Sequence, residues 1–493
     1  MHVPSVALYT AAEVRALDRR AIAELGIPGY ELMTRAGHAA LDALRRAWPE
    51  ARSLAVLCGP GNNGGDGYVI ARAGRALGYT VRAVSLGDVA ALRGDARRAY
   101  EDYAAAGGKL QPWSPDVLDA DVVVDALFGT GLARAPDGIA AGMIRCINGA
   151  GRPVVAVDIP SGLHSDTGEV LGDAVRADLT VTFIGRKVGA HLGCGPDHVG
   201  RVVFDDLGVP AATYEGSQPA ARLVSDEDLA RVLPRRVRTA HKGDHGHVLV
   251  VGGGPGMPGA ARLAGEAALR AGAGLVTVAV HPENLAALAA RPELMAVAAT
   301  TPARLAAPLA RATVVALGPG LGRGSWSREM FESAIAAGQP TIVDADALNL
   351  LAEFPRRRDD WVLTPHPGEA GRLLGIATES VQADRLGAAR AIVERYGGTV
   401  VLKGAGSIVH SAGAIPWICD RGNPGMAAAG MGDVLTGVVA GLAAQCRNLS
   451  LAAAVGVHVH ASAGDRAAHA GERGLLAGDL LEHVRACVNR TCD

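Results

Sequence analysis

The chain of 493 residues is 49% hydrophobic, 20% charged and only 4% aromatic, which provides enough apolar side chain for two ordinary cores. Its formal net charge of −2 and pI near 6.7 exclude a strongly basic surface for nucleic acid or anionic membrane, and favour a small polar ligand. Seven cysteines without a CxxC pair argue against a disulfide framework or structural zinc, and no apolar run is long enough for a membrane span, so we expect a cytoplasmic protein.

The first 215 residues have the pattern of a three-layer parallel α/β domain. Thr10 and Glu13 form a capping-box pair that predicts a helix ending at Gly26-Ile27-Pro28, and apolar residues at helical spacing from Leu32 to Leu44 predict a second helix. Apolar runs without polar alternation predict buried parallel strands at 54–58, 80–85, 122–126, 154–157 and 179–183. Ligands of such sheets bind beyond the carboxyl ends of the strands, so function is expected there.

Three of these strand ends carry an unusual number of side-chain oxygens. The first is a glycine-rich stretch at 59–67 with Asn62, Asn63 and Asp66, and the others begin at Asp125 and at Asp158. The first stretch contains GxGxxG, but the next strand ends at Ser85 rather than at an acid, so a redox dinucleotide site is poorly supported. Each end alone could be a structural turn, whereas three together favour a polar pocket, which Lys187 after the next strand could join.

Together these segments resemble the epimerase domain of NAD(P)H-hydrate repair enzymes. The resemblance covers most of residues 1–215 and implies a domain with those bounds, a Rossmann-like sheet, catalysis by Asp158 with Lys187, and a potassium ion held by Asn63, Asp125 and Ser161. The acid Asp158 would invert the ring carbon that carries the hydroxyl group next to nitrogen. The resemblance further implies that the hydrated nicotinamide cofactor contacts Asn62, Asn63, Gly64, Gly65, Asp66, Gly129, Thr130, Gly131, Leu132, Ala133, Arg134, Ala135 and Asp158.

A second domain is expected over residues 223–493. Residues 213–220 are small, polar and without periodicity, which predicts a linker, and Ser225 with Asp228 marks a helix start. Predicted strands again end in glycine or polar residues, at 252–261, 318–322, 344–349, 364–369 and 403–407. His245 and His247, expected on one side of a strand, lack a third metal ligand, so a polar strand entry is favoured over a metal site.

The glycine-rich segment 422–437 contains the residue most suited to catalysis, Asp433. Gly430 and Gly432 leave backbone N–H groups bare where an apolar helix is expected over 434–444, which predicts an anion site for a phosphoryl group. A carboxylate at the same turn could take the proton of an attacking hydroxyl. The structural alternative is that Asp433 caps the helix. Lys403 and Ser407 could bind nucleotide phosphates, although the sequence contains no P-loop.

Residues 223–489 resemble a ribokinase-like fold and, within it, the dehydratase domain of the same repair enzymes. The resemblance implies that Asp433 is the base, that ADP with Mg²⁺ rather than ATP is the usual donor, and that hydrated NADH and NADPH are the substrates. It also implies a homo-oligomer. The adenine nucleotide would contact Lys403, Gly404, Ala405, Gly406, Ser407 and Gly432, and the hydrated cofactor would contact Ala260, Gly320, His366 and Asp433.

Two other functions remain open from the sequence. A ribokinase-type kinase for a small molecule would share segment 422–437, with the first half as a non-catalytic binding domain. The first half could also be an epimerase-like scaffold with a degraded pocket, but its polar pocket residues are all present. The sequence does not distinguish NADH hydrate from NADPH hydrate as the preferred substrate.

Overall fold

The computed structural model describes residues 6–489 and contains two compact units, Met1–Arg222 and Leu223–Asp493. The outermost ends of the two expected domains, 1–5 and 490–493, lie outside the described residues. Each unit has its own parallel sheet, so the α/β fold class predicted for both halves is confirmed.

The first unit begins with the predicted capping box. The Thr10 side chain accepts a hydrogen bond from the N–H of Glu13, whose carboxylate accepts one from the N–H of Thr10. This start is favourable because it satisfies two of the N–H groups that a helix end leaves without partners. The helices of the unit are α1 (Ala11–Ala23), α2 (Gly29–Ala47), α3 (Asn62–Ala76), α4 (Gly94–Ala105), α5 (Gly138–Gly149) and α6 (Gly195–His198).

Six parallel strands form the sheet of this unit in the order β3-β2-β4-β5-β6-β8. Val56 is paired with Ala83 on one side and Val124 on the other, which fixes the register of the central strands. All five predicted strands are present, with at most one residue of difference at an end. The strands of this sheet are β2 (Ser53–Cys58), β3 (Thr80–Ser85), β4 (Val122–Ala126), β5 (Val154–Val157), β6 (Leu179–Phe183) and β8 (Arg201–Asp205). Outside this sheet, β1 (Ala7–Tyr9) pairs with β7 (Arg186–Lys187) and with β9 (Ala221–Leu223).

Alternate residues of β2 enter two different cores. Leu54 and Val56 belong to a cluster with residues of α1, α2 and α3, whereas Ala55 and Leu57 pack in a second cluster with Ile144 of α5. Because neighbouring side chains of a strand point to opposite faces, helices cover both sides of the sheet. This arrangement is the predicted three-layer, Rossmann-like architecture.

The segment expected to be a linker is packed onto the first unit. Thr213 and Tyr214 are buried, the Tyr214 hydroxyl donates to the carbonyl oxygen of Ile184, and β9 pairs with β1 through Ala7 and Arg222. Its small polar composition indicated an irregular segment, but composition alone does not reveal the two buried side chains that attach it.

The second unit has a longer sheet in the order β12-β11-β10-β13-β14-β15-β16-β17-β18, in which β17 and β18 are antiparallel additions. Its strands are β10 (His247–Val251), β11 (Leu275–Val280), β12 (Met295–Ala298), β13 (Val314–Leu317), β14 (Thr341–Val343), β15 (Trp361–Leu363), β16 (Thr399–Leu402), β17 (Ser407–Ser411) and β18 (Trp417–Cys419). Its helices are α7 (Asp226–Val232), α8 (Pro258–Arg270), α9 (Ala306–Arg311), α10 (Ser325–Ala336), α11 (Ala345–Glu353), α12 (Pro367–Leu374), α13 (Thr378–Ala383), α14 (Arg385–Tyr396), α15 (Met431–Ala443), α16 (Leu449–Ala467) and α17 (Ala477–Val488).

Helix α15 is buried along almost its whole length, because it packs closely against α8. A Cβ atom at Gly437 would lie 2.1 Å from the carbonyl oxygen of Ala264, and one at Gly441 would lie 2.6 Å from that of Ala268. These two glycines let the helix backbones approach one another. The close packing holds the start of α15 in a fixed place at the end of the sheet.

Several smaller expectations concern metal, membrane and thiol chemistry. His245 lies in a 3-10 helix before β10, so it does not share the strand with His247, contrary to prediction. No three His, Cys, Asp or Glu side chains within 6–489 are grouped as a metal centre, and none of the helices described there could cross a membrane. The cysteines of this part are free, whereas Cys492 lies outside it.

Candidate active sites

A cavity of about 810 Å³ opens at the carboxyl ends of the strands in the first unit. It is lined by side chains from α1, α2, the start of α3 and the loop after β4, together with Asp158 and Lys187. The three polar strand ends therefore meet, as predicted, at one edge of the sheet.

Asp158 and Lys187 form an ion pair in this cavity. The Lys187 ammonium group is buried and donates to the Asp158 carboxylate, to the Thr182 hydroxyl at 3.1 Å and to the carbonyl oxygen of Phe183 at 3.2 Å. Asp158 has a φ of 71°, which a residue other than glycine rarely adopts. This unusual backbone conformation supports a functional role for Asp158, since such conformations cluster at active sites.

Two further acids face this ion pair. Burial raises the pKa of Asp18 to about 6, and it also raises the pKa of Asp66 well above the usual range, with a further contribution from the negative charge of Asp158. Both side chains line the cavity. The cavity therefore combines one carboxylate paired with an ammonium group and two acids that hold their protons more tightly, an arrangement suited to proton transfer.

The residues expected to form a turn after β2 are largely helical. α3 begins at Asn62, so Asn62, Asn63 and Asp66 occupy its first two turns, and only 59–61 form the connection. Gly59 is required there, because a Cβ atom would lie 1.6 Å from the carbonyl oxygen of Leu127. The start of α3 thus presents N–H groups and amide oxygens to the cavity.

Asp125 and Ser161, which are not among the residues that line the cavity, form a buried pair. The Asp125 carboxylate accepts from the Ser161 hydroxyl at 2.6 Å and from the Ser161 N–H at 2.8 Å, and burial raises its pKa to about 6. Asp125 has no basic partner in the described chain, and the buried amide nitrogen of Asn63 has no hydrogen-bond partner. A fully buried carboxylate without a positive neighbour is unfavourable, so a bound cation would offset its charge.

Most of the predicted substrate contacts of this unit line the cavity. The lining includes Asn62, Asn63, Asp66 and 129–134, whereas Gly64, Gly65 and Ala135 are absent from it. Gly64 is instead a packing residue, since a Cβ atom there would lie 1.9 Å from the carbonyl oxygen of Gly59.

The second unit gathers its polar residues after β14, β15, β16 and at the start of α15. The Lys403 ammonium group lies 2.7 Å from Asp344 Oδ1 and 3.7 Å from Glu369 Oε2. Asp344 also accepts from the hydroxyls of Thr364 and Thr436, each at 2.8 Å. Burial lowers the pKa of Lys403, but the carboxylates of Asp344 and Glu369 outweigh it and the net pKa is raised. Lys403 therefore stays charged.

Asp433 lies at the third position of α15, whose first helical residue is Met431 rather than Val434 as expected. The N-cap is Gly430, with a φ of 87° and no side-chain cap, so Asp433 does not cap the helix. Burial and the nearby Asp344 raise the pKa of Asp433 to about 7, and no described side chain bonds its carboxylate. A base with this pKa beside bare helix N–H groups suits proton removal next to an anion.

Among the predicted cofactor contacts, His366 lies beside this cluster, with its Nε2 3.5 Å from Glu369 Oε1. His366 caps α12, and its Nδ1 accepts from the N–H groups of Gly368 and Glu369, which leaves Nε2 as the protonated ring nitrogen. Burial and then the Lys403 charge lower the pKa of His366. Gly320 adjoins Ala260 at the start of α8, since a Cβ atom at Gly320 would lie 2.9 Å from that of Ala260.

The predicted nucleotide loop, residues 403–407, connects β16 to β17. Gly404 and Gly406 have φ values of 134° and 64°, and the Ser407 hydroxyl donates to the carbonyl oxygen of Gly404 at 2.9 Å. Gly432 faces this loop, because a Cβ atom there would lie 3.3 Å from Lys403 Nζ. Lys403 therefore brings the loop and the start of α15 into one site.

Sequence reasoning assigned no role to several residues of these sites: Asp18, Asp344, Glu369, Arg385 and Thr436. Asp344 and Glu369 follow predicted strands and could have been selected by position. Asp18 and Thr436 lie inside helices, where periodicity marks burial but not partners. Arg385 stands at the start of α14, and nothing in its neighbouring sequence shows that its guanidinium group is buried.

Each unit matches the sequence model of a known protein family. Residues 248–485 match the family model described as NAD(P)H-hydrate dehydratase, and residues 29–189 match that described as YjeF-related protein N-terminus. These matches include both clusters described above.

Known proteins match over nearly the whole chain. Bifunctional NAD(P)H-hydrate repair enzyme Nnr of Coxiella burnetii is 46% identical and the match covers 98% of this chain and 99% of the relative. The protein of that name from Escherichia coli is 44% identical, with coverage of 99% and 95%. Among solved structures, a ribokinase-like superfamily protein of Enterococcus faecalis is 29% identical, with a TM-score of 0.52 and coverage of 55% of this chain and 96% of its own.

Proposed function

The chain belongs to the family of bifunctional NAD(P)H-hydrate repair enzymes, and we propose how its two units divide the reaction. The chain is an epimerase and a dehydratase in one. The first unit, taken as residues 1–215, would interconvert the R and S forms of the hydrate, and the second, taken as 223–493, would dehydrate the S form. The observation that carries this division is the presence of two separate lysine–carboxylate clusters, one at the strand ends of each unit.

In the first unit, Asp158 is the proposed acid and base. The hydrated ring carries its hydroxyl on a carbon next to nitrogen, and the nitrogen lone pair assists departure of that hydroxyl. A proton would pass from the Lys187 ammonium group through the Asp158 carboxylate to the leaving oxygen, and the water that adds to the opposite face would return a proton to this pair. Lys187 holds the carboxylate in place, and the start of α3 with residues 129–135 would bind the substrate.

In the second unit, Asp433 is the proposed base. It would take the proton of the ring hydroxyl while that oxygen attacks the terminal phosphorus of ADP, whose bond to AMP breaks. The ring nitrogen would then expel phosphate, which leaves far more readily than hydroxide, and loss of a ring proton would restore NAD(P)H. Residues 403–407 and Gly432 would bind the nucleotide, and Ala260, Gly320 and His366 the hydrated cofactor.

Two metal ions are part of the proposal. Asn63, Asp125 and Ser161 would hold a potassium ion through their oxygen atoms, since hard cations prefer oxygen ligands and the Asp125 charge has no other counter-ion in the described chain. Potassium would balance that charge and stabilise the loop after β4. Mg²⁺ would accompany ADP and take most of its ligands from the phosphates and water, as this ion usually does.

The kinase alternative accounts for the second unit alone. It gives the first unit only a non-catalytic binding role, whereas relatives matched along the whole chain are bifunctional repair enzymes. The proposal further includes ADP as the phosphoryl donor and the hydrates of both NADH and NADPH as substrates. It also includes a cytoplasmic location and a homo-oligomeric state.

The direct test supplies purified protein with a mixture of R and S hydrates of NADH, with ADP, ATP or neither, and follows the absorbance of the reduced nicotinamide. We expect complete recovery of NADH with ADP and release of one AMP and one phosphate per cofactor. Slow or absent recovery with both nucleotides would contradict the proposed dehydration.

A further inference from the structure

We infer that Arg385, a residue outside the cavity and the lysine–carboxylate clusters, positions the nucleotide loop and supplies a buried positive charge for the phosphates. This inference rests on the proposed function, in which residues 403–407 bind ADP. Arg385 is only 5% exposed and is the first residue of α14. An almost fully buried arginine is rare unless it is paired.

The Arg385 guanidinium group is directed at the backbone of the loop. Its Nη2 lies 3.4 Å from the carbonyl oxygens of Leu402 and Lys403 and 3.3 Å from that of Gly406. A Cβ atom at Gly404 would lie 3.0 Å from Nη1, so the loop and the guanidinium group are in contact. One side chain therefore determines the orientation of several peptide groups of the loop.

The orientation of these carbonyl groups matters for phosphate binding. In a planar trans peptide, the C=O and the following N–H point in opposite directions. Because the carbonyls of Lys403 and Gly406 point to Arg385, the N–H groups of Gly404 and Ser407 point away from it. Backbone N–H groups presented by a glycine loop are a common way to bind phosphate. Arg385 thus orders the donors that the proposal assigns to the nucleotide.

The charge of Arg385 is also uncompensated. Its Nη1 donates to the amide oxygen of Gln382 at 2.8 Å, its Nε has no partner, and within the described chain no carboxylate forms an ion pair with it. A buried charge without a counter-ion is unfavourable, and the phosphates of ADP would offset it across the loop. We therefore expect Arg385 to increase the binding affinity of a ligand more strongly when the ligand carries more phosphate charge.

Binding of ADP, AMP and adenosine to the full chain, measured by calorimetry, tests this inference. Arg385→Met should weaken ADP binding by about tenfold to a hundredfold, AMP binding less, and adenosine binding by less than about twofold, since charge-assisted contacts are the stronger ones. Arg385→Lys, which keeps the charge but not the planar group, should fall between the two. Arg390→Met removes an exposed arginine of the same helix and is the matched control, expected to bind all three ligands normally.

Equal losses of all three ligands in Arg385→Met would show a purely structural role and overturn the inference, as would unchanged ADP binding. The melting curve shows whether Arg385→Met folds. If it does not fold, the ratio of ADP affinity to adenosine affinity in Arg385→Lys tests the inference instead. An unchanged ratio with normal affinities overturns the inference. Wild-type protein and Lys403→Met separate the two proposals. Nucleotide binding that is absent in wild type, or indifferent to Lys403→Met, contradicts the proposed function itself. Binding that needs Lys403 but not Arg385 contradicts only the present inference.

Discussion

The Lys403 ammonium group pairs with Asp344 at 2.7 Å, whereas no side chain among residues 6–489 forms a hydrogen bond with Asp433 of the same cluster. The two aspartates therefore differ in their hydrogen-bond partners. Asp344 accepts hydrogen bonds from Lys403, Thr364 and Thr436, whereas the pKa of Asp433 is raised to about 7 by burial and by the charge of Asp344. Active sites in which one of two acids transfers protons commonly place the two acids in different environments.

Replacement of Asp433, the proposed base, should separate the two activities. We expect Asp433→Asn to lower the dehydration rate by about two to four orders of magnitude, because a positioned general base contributes that much. Epimerisation of the hydrate should remain, since its proposed residues belong to the first unit. Glu379→Gln, at an exposed site in α13, is the control. Near-normal consumption of ADP and S hydrate by Asp433→Asn would show that another group is the base.

The raised pKa of Asp433 predicts a pH dependence. The base must be deprotonated, so kcat/KM for dehydration should be half-maximal near pH 7 and fall about tenfold per pH unit below it. Asp344→Asn removes the like charge that raises this pKa, and should move the acidic limb to lower pH. The measurement is the pH profile of both proteins at saturating ADP. A limb that moves upward, or stays in place, would contradict the assignment.

The fold was largely predictable from the sequence because its elements are marked by local patterns. Buried parallel strands such as β4 are continuous apolar runs, and the start of α1 has a capping box. Glycine-rich boundaries were less predictable. α15 begins at Met431 rather than at Val434, and the glycine-rich stretch after β2 is helical from Asn62, because the loss of conformational freedom at glycine disfavours a helix locally while burial against neighbouring elements stabilises it.

The positions of candidate site residues were predictable where these residues lie at the ends of strands or at the starts of helices. Asp158, Lys187, Lys403 and Asp433 lie where parallel strands or helix starts place them. The linkage of Lys403 to Asp344 and the burial of other residues depend on pairs of atoms from distant segments, which neither spacing nor composition encodes. Asp158 is an intermediate case, since its position was expected whereas its backbone φ of 71° was not.

The buried Asp125 predicts that epimerisation depends on the cation present. Rates of epimerisation should be highest in potassium chloride, lower in sodium chloride and lowest in tetramethylammonium chloride, since a bulky organic cation cannot replace a small ion among oxygen ligands. Asp125→Asn should lose this dependence because the charge to be balanced is gone. Dehydration of pure S hydrate with ADP, assayed at a constant potassium concentration, is the internal control. Equal epimerisation rates in all three salts would contradict a potassium site.

Two glycines of the first unit should respond oppositely to alanine. Gly64→Ala would place a Cβ atom 1.9 Å from the carbonyl oxygen of Gly59, so we expect a loss of ~1–3 kcal/mol or more in the free energy of unfolding. Gly142 in α5 has open space at its Cβ position, and Gly142→Ala should stabilise the unit by ~0.5–1 kcal/mol. Calorimetric melting of the full chain measures both. A Gly64→Ala protein as stable as Gly142→Ala would show that α3 starts differently.

The two active sites should complement each other between separate molecules. Asp158→Asn should dehydrate S hydrate normally but leave R hydrate to disappear only at its slow spontaneous rate of epimerisation. Asp433→Asn should epimerise without dehydrating. If the units are independent catalysts that exchange a free intermediate, an equimolar mixture of the two variants with ADP should clear both epimers.

Chromatography of the remaining hydrates after ADP addition separates the outcomes. Rapid loss of R hydrate with Asp158→Asn alone would mean that the second unit accepts both epimers, or that Asp158 is not needed for epimerisation. Persistent R hydrate in the mixture would mean that the intermediate passes between the sites of one chain without release. Complete clearance by the mixture, and by neither variant alone, is expected because each unit contains its own lysine–carboxylate cluster at the ends of its own sheet.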